Sequence, residues 1–185
     1  MEKQVIRAVF DEKTIRVYQA FNELISSEAV RSGTFGKGFK MNRMTWIKPS
    51  FLWMMYRCGW ASKSNQEHVL AIDIKRSGFD YMVNNAIPST YIVDRYKSRQ
   101  DWQNQLKSSD IICQWDPERD IFGNPLNYRS IQIGIRDEVL SLYVDHWIVS
   151  IEDITNYVLD LKNKVDLKQD ITLFLPKEEV YDIDV

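Results

Sequence analysis

Residues 29–66 carry seven lysine or arginine side chains, no aspartate or glutamate, and three of the six tryptophans of the chain. Cations without local acids are available to an anion from outside, and phosphate is the anion that guanidinium groups and helix starts hold best. Arg43 and Lys48 flank a short apolar run, and Pro49 follows where a helix can begin, because its missing N–H is no loss at the first helical position. Lys48 and Ser50 at that helix start, with Arg43 nearby, would hold a phosphate-bearing ligand. The competing reading gives Ser50 only the task of starting the helix and pairs Arg43 with a distant acid.

Other constellations are weaker. Trp46, Trp53 and Trp60 recur every seven residues, as a stacking platform for bases would, but an aromatic stripe on a helix is more often core. Residues 33–38 (GTFGKG) share only composition with a phosphate loop and lack its spacing. Residues 114–119 (QWDPER) put Glu118 forward as an acid or base and Arg119 as a ligand clamp, while an Asp-Pro turn with a local ion pair explains the same residues. Arg129 and Gln132 would extend that polar cluster. His68 and His146 have no ligand spacing around them, so no metal site is expected, and no serine or cysteine nucleophile motif occurs.

The elements that must position these groups read as one domain. The chain has 185 residues, 44% of them hydrophobic and 12% aromatic, enough for a single substantial core. Its net charge of −2 excludes a strongly basic nucleic-acid binder, yet residues 152–185 hold nine acids against four lysines. We therefore divide the chain into a globular domain over 1–165 and an acidic C-terminal extension over 166–185. Cys58 and Cys113 sit in apolar surroundings and are expected as reduced core residues; no signal-length or membrane-length apolar run occurs, so a cytoplasmic location is expected.

Strands are expected over 5–10, 15–21, 44–47, 68–74, 111–115, 130–135 and 147–151. Helices are expected over 19–31, from Pro49 to a stop at Gly59, and over 78–85, 91–106, 138–144 and 155–164, with 116–125 as a long turn. The second helix has no polar face in residues 51–56 and is expected to be buried nearly all round. Irregular alternation of strands and helices, without a repeating strand-helix unit, predicts an α+β fold: a mixed or split, antiparallel-rich sheet with flanking helices.

Residues 14–20 (TIRVYQA), 43–57 (RMTWIKPSFLWMMYR), 114–119 (QWDPER), 129–134 (RSIQIG) and 147–155 (WIVSIEDIT) together resemble the domain of unknown function 4291 family. The resemblance spans roughly residues 4–165, and the family's name assigns no activity. At the level of fold, the layout is similar to small ADP-ribosyltransferase-like domains. That similarity implies NAD as cofactor, Arg16 or Arg43 holding it, a hydroxyl from Thr45 or Ser50, and Glu118 or Glu138 stabilising an oxocarbenium ion. Arg16 and Tyr18 would help form the pocket, and Arg43, Lys48 and Ser50 would hold phosphates. No paired-acid word and no clear His-Tyr-Glu set of such enzymes is present. The expectation is thus an enzyme acting on a nucleotide, most concretely an NAD-dependent transferase. A noncatalytic binder of RNA or single-stranded nucleic acid, or a protein-interaction domain, is the alternative.

Overall fold

Two-residue strands β1 (Lys3–Gln4) and β2 (Arg7–Ala8) open the computed structural model, which describes residues 3–183. Asp11 then makes a turn, its carboxylate accepting the N–H groups of Lys13 and Thr14 at 2.8 and 2.7 Å, and β3 (Thr14–Phe21) follows. Helix α1 (Glu23–Ser32) starts later than its apolar stripe suggests. Asn22 accepts the N–H of Ile25 as its cap, and Gly33 ends it in the left-handed conformation glycine adopts without penalty. In the loop beyond, Phe35 stacks on Phe39 with ring centroids 4.3 Å apart.

Strand β4 (Thr45–Ile47) leads through Lys48 into α2 (Phe51–Cys58), which Ser50 caps and left-handed Gly59 ends. Pro49 is therefore not the first helical residue; it precedes the cap. Phe51, Trp53, Met54, Met55 and Cys58 are buried as expected, but Tyr56 is 45% exposed, so α2 keeps one open edge. Strand β5 (His68–Lys75), α3 (Arg76–Asn85) and β6 (Ile87–Pro88) follow.

The helix expected from residue 91 begins only at α4 (Arg99–Ser108), because Ser98 caps it by accepting the N–H of Asp101. Strands β7 (Ile111–Arg119) and β8 (Pro125–Ile135) form a long hairpin. The Asp-Pro turn expected from residue 116 is instead strand, with a register shift between Pro117 and Arg119 that accommodates a residue lacking an N–H. The turn comes at Asp120, whose carboxylate accepts the N–H groups of Phe122 and Asn124 at 2.9 and 2.8 Å. Helix α5 (Asp137–Leu142) runs into a π-helical turn (Tyr143–Trp147), then β9 (Ile148–Asp153), α6 (Thr155–Asp166) and β10 (Glu179–Val180) complete the order.

The result is an α+β domain with a split sheet. Five strands form one sheet, β1-β8-β7-β6 with β4 also on β8; three form an antiparallel sheet, β3-β5-β9, with β5 central as its unbroken apolar run implies. Alternation along β3 and β5 feeds two cores. Ile15, Val17, Leu70, Ile72 and Ile74 pack with Ile111, Ile131, Ile133 and Ile135 of the larger sheet. Tyr18, Val69 and Ala71, on the opposite face, pack with Phe51, Met54 and Met55 of α2 and Val158 and Leu161 of α6. At about 1.5–3 kcal/mol per fully buried large apolar side chain, these two layers carry the fold.

The acidic stretch after residue 165, expected as an extension, returns to this structure: Ile171 and Tyr181 are buried in the two cores, and β10 pairs antiparallel with β2. Cys58 and Cys113 are buried free thiols. No helix among the described residues is long and apolar enough to cross a membrane.

Candidate functional site

Where the two sheets meet, the end of β3, the start of α1, the loop at 38–40, β4 and α2 enclose a cavity of about 510 Å³. The volume is in the range of small-ligand sites. Four cations line it, Lys40, Arg43, Lys48 and Arg57, and no aspartate or glutamate does. Four of the seven cations of the acid-free stretch are thus brought to one cavity. Thr45, Gln19, Asn22, Asn65 and Gln66 add uncharged polar groups, and Trp46, Phe21, Phe39 and Met54 add apolar wall.

Lys48 sits deepest. Its backbone carbonyl accepts the N–H of Tyr18 at 2.7 Å, which joins β4 to β3. The side chain is only 5% exposed, its Nζ donates to the Trp46 carbonyl at 3.3 Å, and it lies 5.5 Å from the centroid of the Trp53 ring. Among the described residues no carboxylate comes within ion-pairing distance of it. Burial, aided by the charge of Arg57, pushes its pKa down to about 7, against smaller opposing pulls from Cys58 and Asp116. Asp116 itself is held by the amides of Gln114 and Gln132 at 2.8 and 2.7 Å.

A buried network fixes the adjoining wall, sharing the Trp46 carbonyl with Lys48. Gln19 is 3% exposed; its amide donates to Thr45 Oγ1 at 2.8 Å and to the Trp46 carbonyl at 3.1 Å, while its Oε1 accepts from the Tyr143 hydroxyl at 2.9 Å. Gly134 lies behind the same wall. A Cβ there would come within 2.7 Å of Met44 Sδ and 2.9 Å of the Trp46 ring, so only glycine lets β8 approach the pocket-lining residues so closely.

The start of α2, read from sequence as an anion site, is already met by the chain's own carboxylate. Glu178 Oε1 accepts the N–H of Phe51 at 2.6 Å, and Ser50 Oγ accepts that of Trp53 at 3.2 Å. Arg7 donates to the Glu178 backbone carbonyl at 2.6 Å. Burial, with Glu118 nearby, raises the Glu178 carboxyl to about 8, although the Phe51 N–H and Arg7 pull the other way. These groups line a second cavity of about 440 Å³ that includes Arg7, Ser50, Glu118, Arg119, Tyr128 and Glu178.

The structure thus sorts the residues picked out from sequence. Arg43, Thr45 and Lys48 share the first cavity; Ser50 and Glu118 line the second. Arg16 forks onto Asp73 at 2.8 and 2.9 Å, and Arg129 donates to the Trp115 carbonyl at 2.9 Å. Tyr18 is buried edge-on against Phe51, ring centroids 5.5 Å apart, and burial raises its pKa. Glu138 is exposed in the first turn of α5. Trp53 is core, and Trp60 is half-buried edge-on to Phe51. No cluster of three or more His, Cys, Asp or Glu suited to a metal occurs among the described residues.

Gln19 and Glu178 were not singled out from sequence. Gln19 carried a signal, a polar residue in register with Ile15 and Val17 on an inward strand face. Glu178 carried none, since its partner Phe51 is 127 residues away.

Fold and site together define a split-sheet α+β domain with an acid-free cationic cavity at the seam between its sheets. The chain belongs to the family described as a domain of unknown function (DUF4291), whose profile matches residues 5–181. No curated protein matches it.

Proposed function

We propose that the seam cavity binds a small phosphate-bearing ligand of the nucleotide class. The observation that carries this reading is the lining itself: four cations, no acid, and one of the cations buried without a carboxylate partner. A lining of one sign presents a positive potential that an anion from outside can complete. Arg43, Arg57 and Lys40, all exposed, would take phosphate oxygens; Trp46 and Phe39 offer apolar surface to a base or sugar.

NAD is the most concrete ligand of this kind, with an ADP-ribosyltransferase-like reaction as the activity that would follow. The acid that such a transfer requires would be Glu118 or Glu138, and neither lines the seam cavity. The geometry therefore supports the binding half of that reading more strongly than the transfer. Trp60, the stacking face a single-stranded RNA binder would use, is partly covered by Phe51, which favours a small ligand over RNA.

Saturating titration of the folded protein with AMP, ADP, NAD and a single-stranded RNA oligomer tests the proposal. Heat and a rise in Tm with the mononucleotides or NAD are expected. Silence from all three small ligands removes the reading, and a response to RNA alone replaces it.

A further inference from the structure

We propose that Lys48 is a reactive amine and that the seam cavity takes a phosphorylated compound bearing an aldehyde or ketone, which Lys48 captures as an imine. The inference rests on the anionic-ligand reading above and narrows its ligand class.

Position separates Lys48 from the other cations. Lys40, Arg43 and Arg57 are exposed at the cavity wall, where a charged side chain keeps its hydration and meets phosphate as a cation. Lys48 is 5% exposed, with a single backbone carbonyl 3.3 Å from its Nζ and the Trp53 ring beside it. A backbone carbonyl and an aromatic face do not replace the shell of water that an ammonium loses on burial. The titratable and charged groups whose fields reach it are Arg57 and Cys58 of α2 and Asp116 of β7; burial and Arg57 outweigh the other two, leaving about half of the amine unprotonated at about pH 7. An exposed lysine at that pH is protonated by roughly a thousand to one and has no lone pair to offer. A desolvated lysine beside other cations is the arrangement that activates an amine for addition to a carbonyl.

The step balances without any redox partner. The Nζ lone pair adds to the carbonyl carbon, the carbonyl π pair moves to oxygen, and a proton from nitrogen is transferred to that oxygen. The resulting carbinolamine loses its hydroxyl together with the remaining nitrogen proton as water, while the nitrogen lone pair forms the C=N bond. Phosphate held by Arg43, Arg57 and Lys40 would set the carbonyl end inward, toward the buried amine.

Pyridoxal 5′-phosphate, a phosphorylated aldehyde, is the probe. The wild-type protein is incubated with it near neutral pH, reduced with borohydride, which turns an imine into a stable secondary amine, and mapped by peptide mass spectrometry. Lys48 is expected to be modified at least about tenfold ahead of exposed lysines such as Lys107, given its larger neutral fraction. The modification is expected to fall when AMP or pyridoxine 5′-phosphate, which lacks the aldehyde, is present, and Lys48→Met serves as a blank. Because the map is read on the wild type, it does not depend on the variant folding. Labelling confined to exposed lysines while AMP and pyridoxine 5′-phosphate still bind would overturn the lysine inference and leave the anion pocket standing. Modification of Lys48 that neither competitor suppresses would overturn the pocket reading, and with it the phosphorylated substrate class.

Discussion

The amide of Tyr18 donates to the carbonyl of Lys48 at 2.7 Å, and that bond joins the three-stranded sheet to the five-stranded one at the place where the cationic cavity lies. One residue thereby does two jobs. The backbone of Lys48 ties the sheets together, and its side chain lies on the cavity wall, 5% exposed, with its amine donating to the Trp46 carbonyl. The placing of the amine is a product of the split sheet.

Binding of an anion beside Lys48 will draw a proton onto it. The folded-state pKa of about 7 lies below the ordinary 10.5, so between these values the free folded protein lacks a proton that an adjacent phosphate would restore. Calorimetry at about pH 8 in two buffers of different ionisation enthalpy is expected to show uptake of part of a proton on AMP binding, absent in Lys48→Met. The same shift acts on folding. Across this window the unfolded chain binds more protons, so wild-type stability is expected to rise with pH from about 7 relative to Lys48→Met, read from urea midpoints.

Glu178 has the opposite sign. Its folded pKa is raised from 4.5 to about 8, so the stability it contributes is complete below about pH 4.5 and is lost as pH rises through about 8. It faces the Phe51 N–H, Glu118 and Arg7, and its charge also reaches Tyr18 and Tyr128. Glu178→Gln keeps an acceptor for Phe51 and removes the buried charge. Its Tm is expected to match the wild type near pH 5 and exceed it near pH 8, and a constant difference across that range would refute the assignment.

Much of the fold was legible in the chain. The alternation of residues 14–21, the continuous apolar run of β5, Gly33 and Gly59 as stops and the burial of most of α2 all follow from local rules that the structure obeys. Local rules failed where a distant partner intervened. Pro117 reads as a turn until eleven residues of β8 are there to pair with its neighbours. The α2 start reads as an open anion site until Glu178 is brought to it from the far end of the chain. Arg43, Thr45 and Lys48 line one cavity as near neighbours in sequence, whereas Gln19 reaches it only through the packing of β3 against β4.

Gly134→Ala tests the wall of the cavity. The added methyl meets Met44 and Trp46 at distances no Cβ tolerates, and the cost of overpacking is about 1–3 kcal/mol. A lower urea midpoint is expected together with weaker AMP binding, since the displaced residues line the pocket.

Tyr143→Phe removes the donor to Gln19 Oε1 and leaves that oxygen buried without a partner, at a cost of about 1–3 kcal/mol. Because Gln19 positions Thr45 and the Trp46 carbonyl, ligand affinity is expected to fall although Tyr143 does not line the cavity. Unchanged affinity in a folded variant would confine the network to a structural role.

The most direct test of the acid-free cavity is the affinity for AMP of the Arg43→Ala, Arg57→Ala double variant, measured by calorimetry beside a charge-matched control, the Lys97→Ala, Lys107→Ala double variant, whose two lysines are exposed just before and near the end of α4. Two charge-assisted contacts at about 1.5–3 kcal/mol each predict a loss of at least about a hundredfold in the double variant and none in the control. Equal affinities in the wild type and a folded double variant would show that the converging cations are not a ligand site.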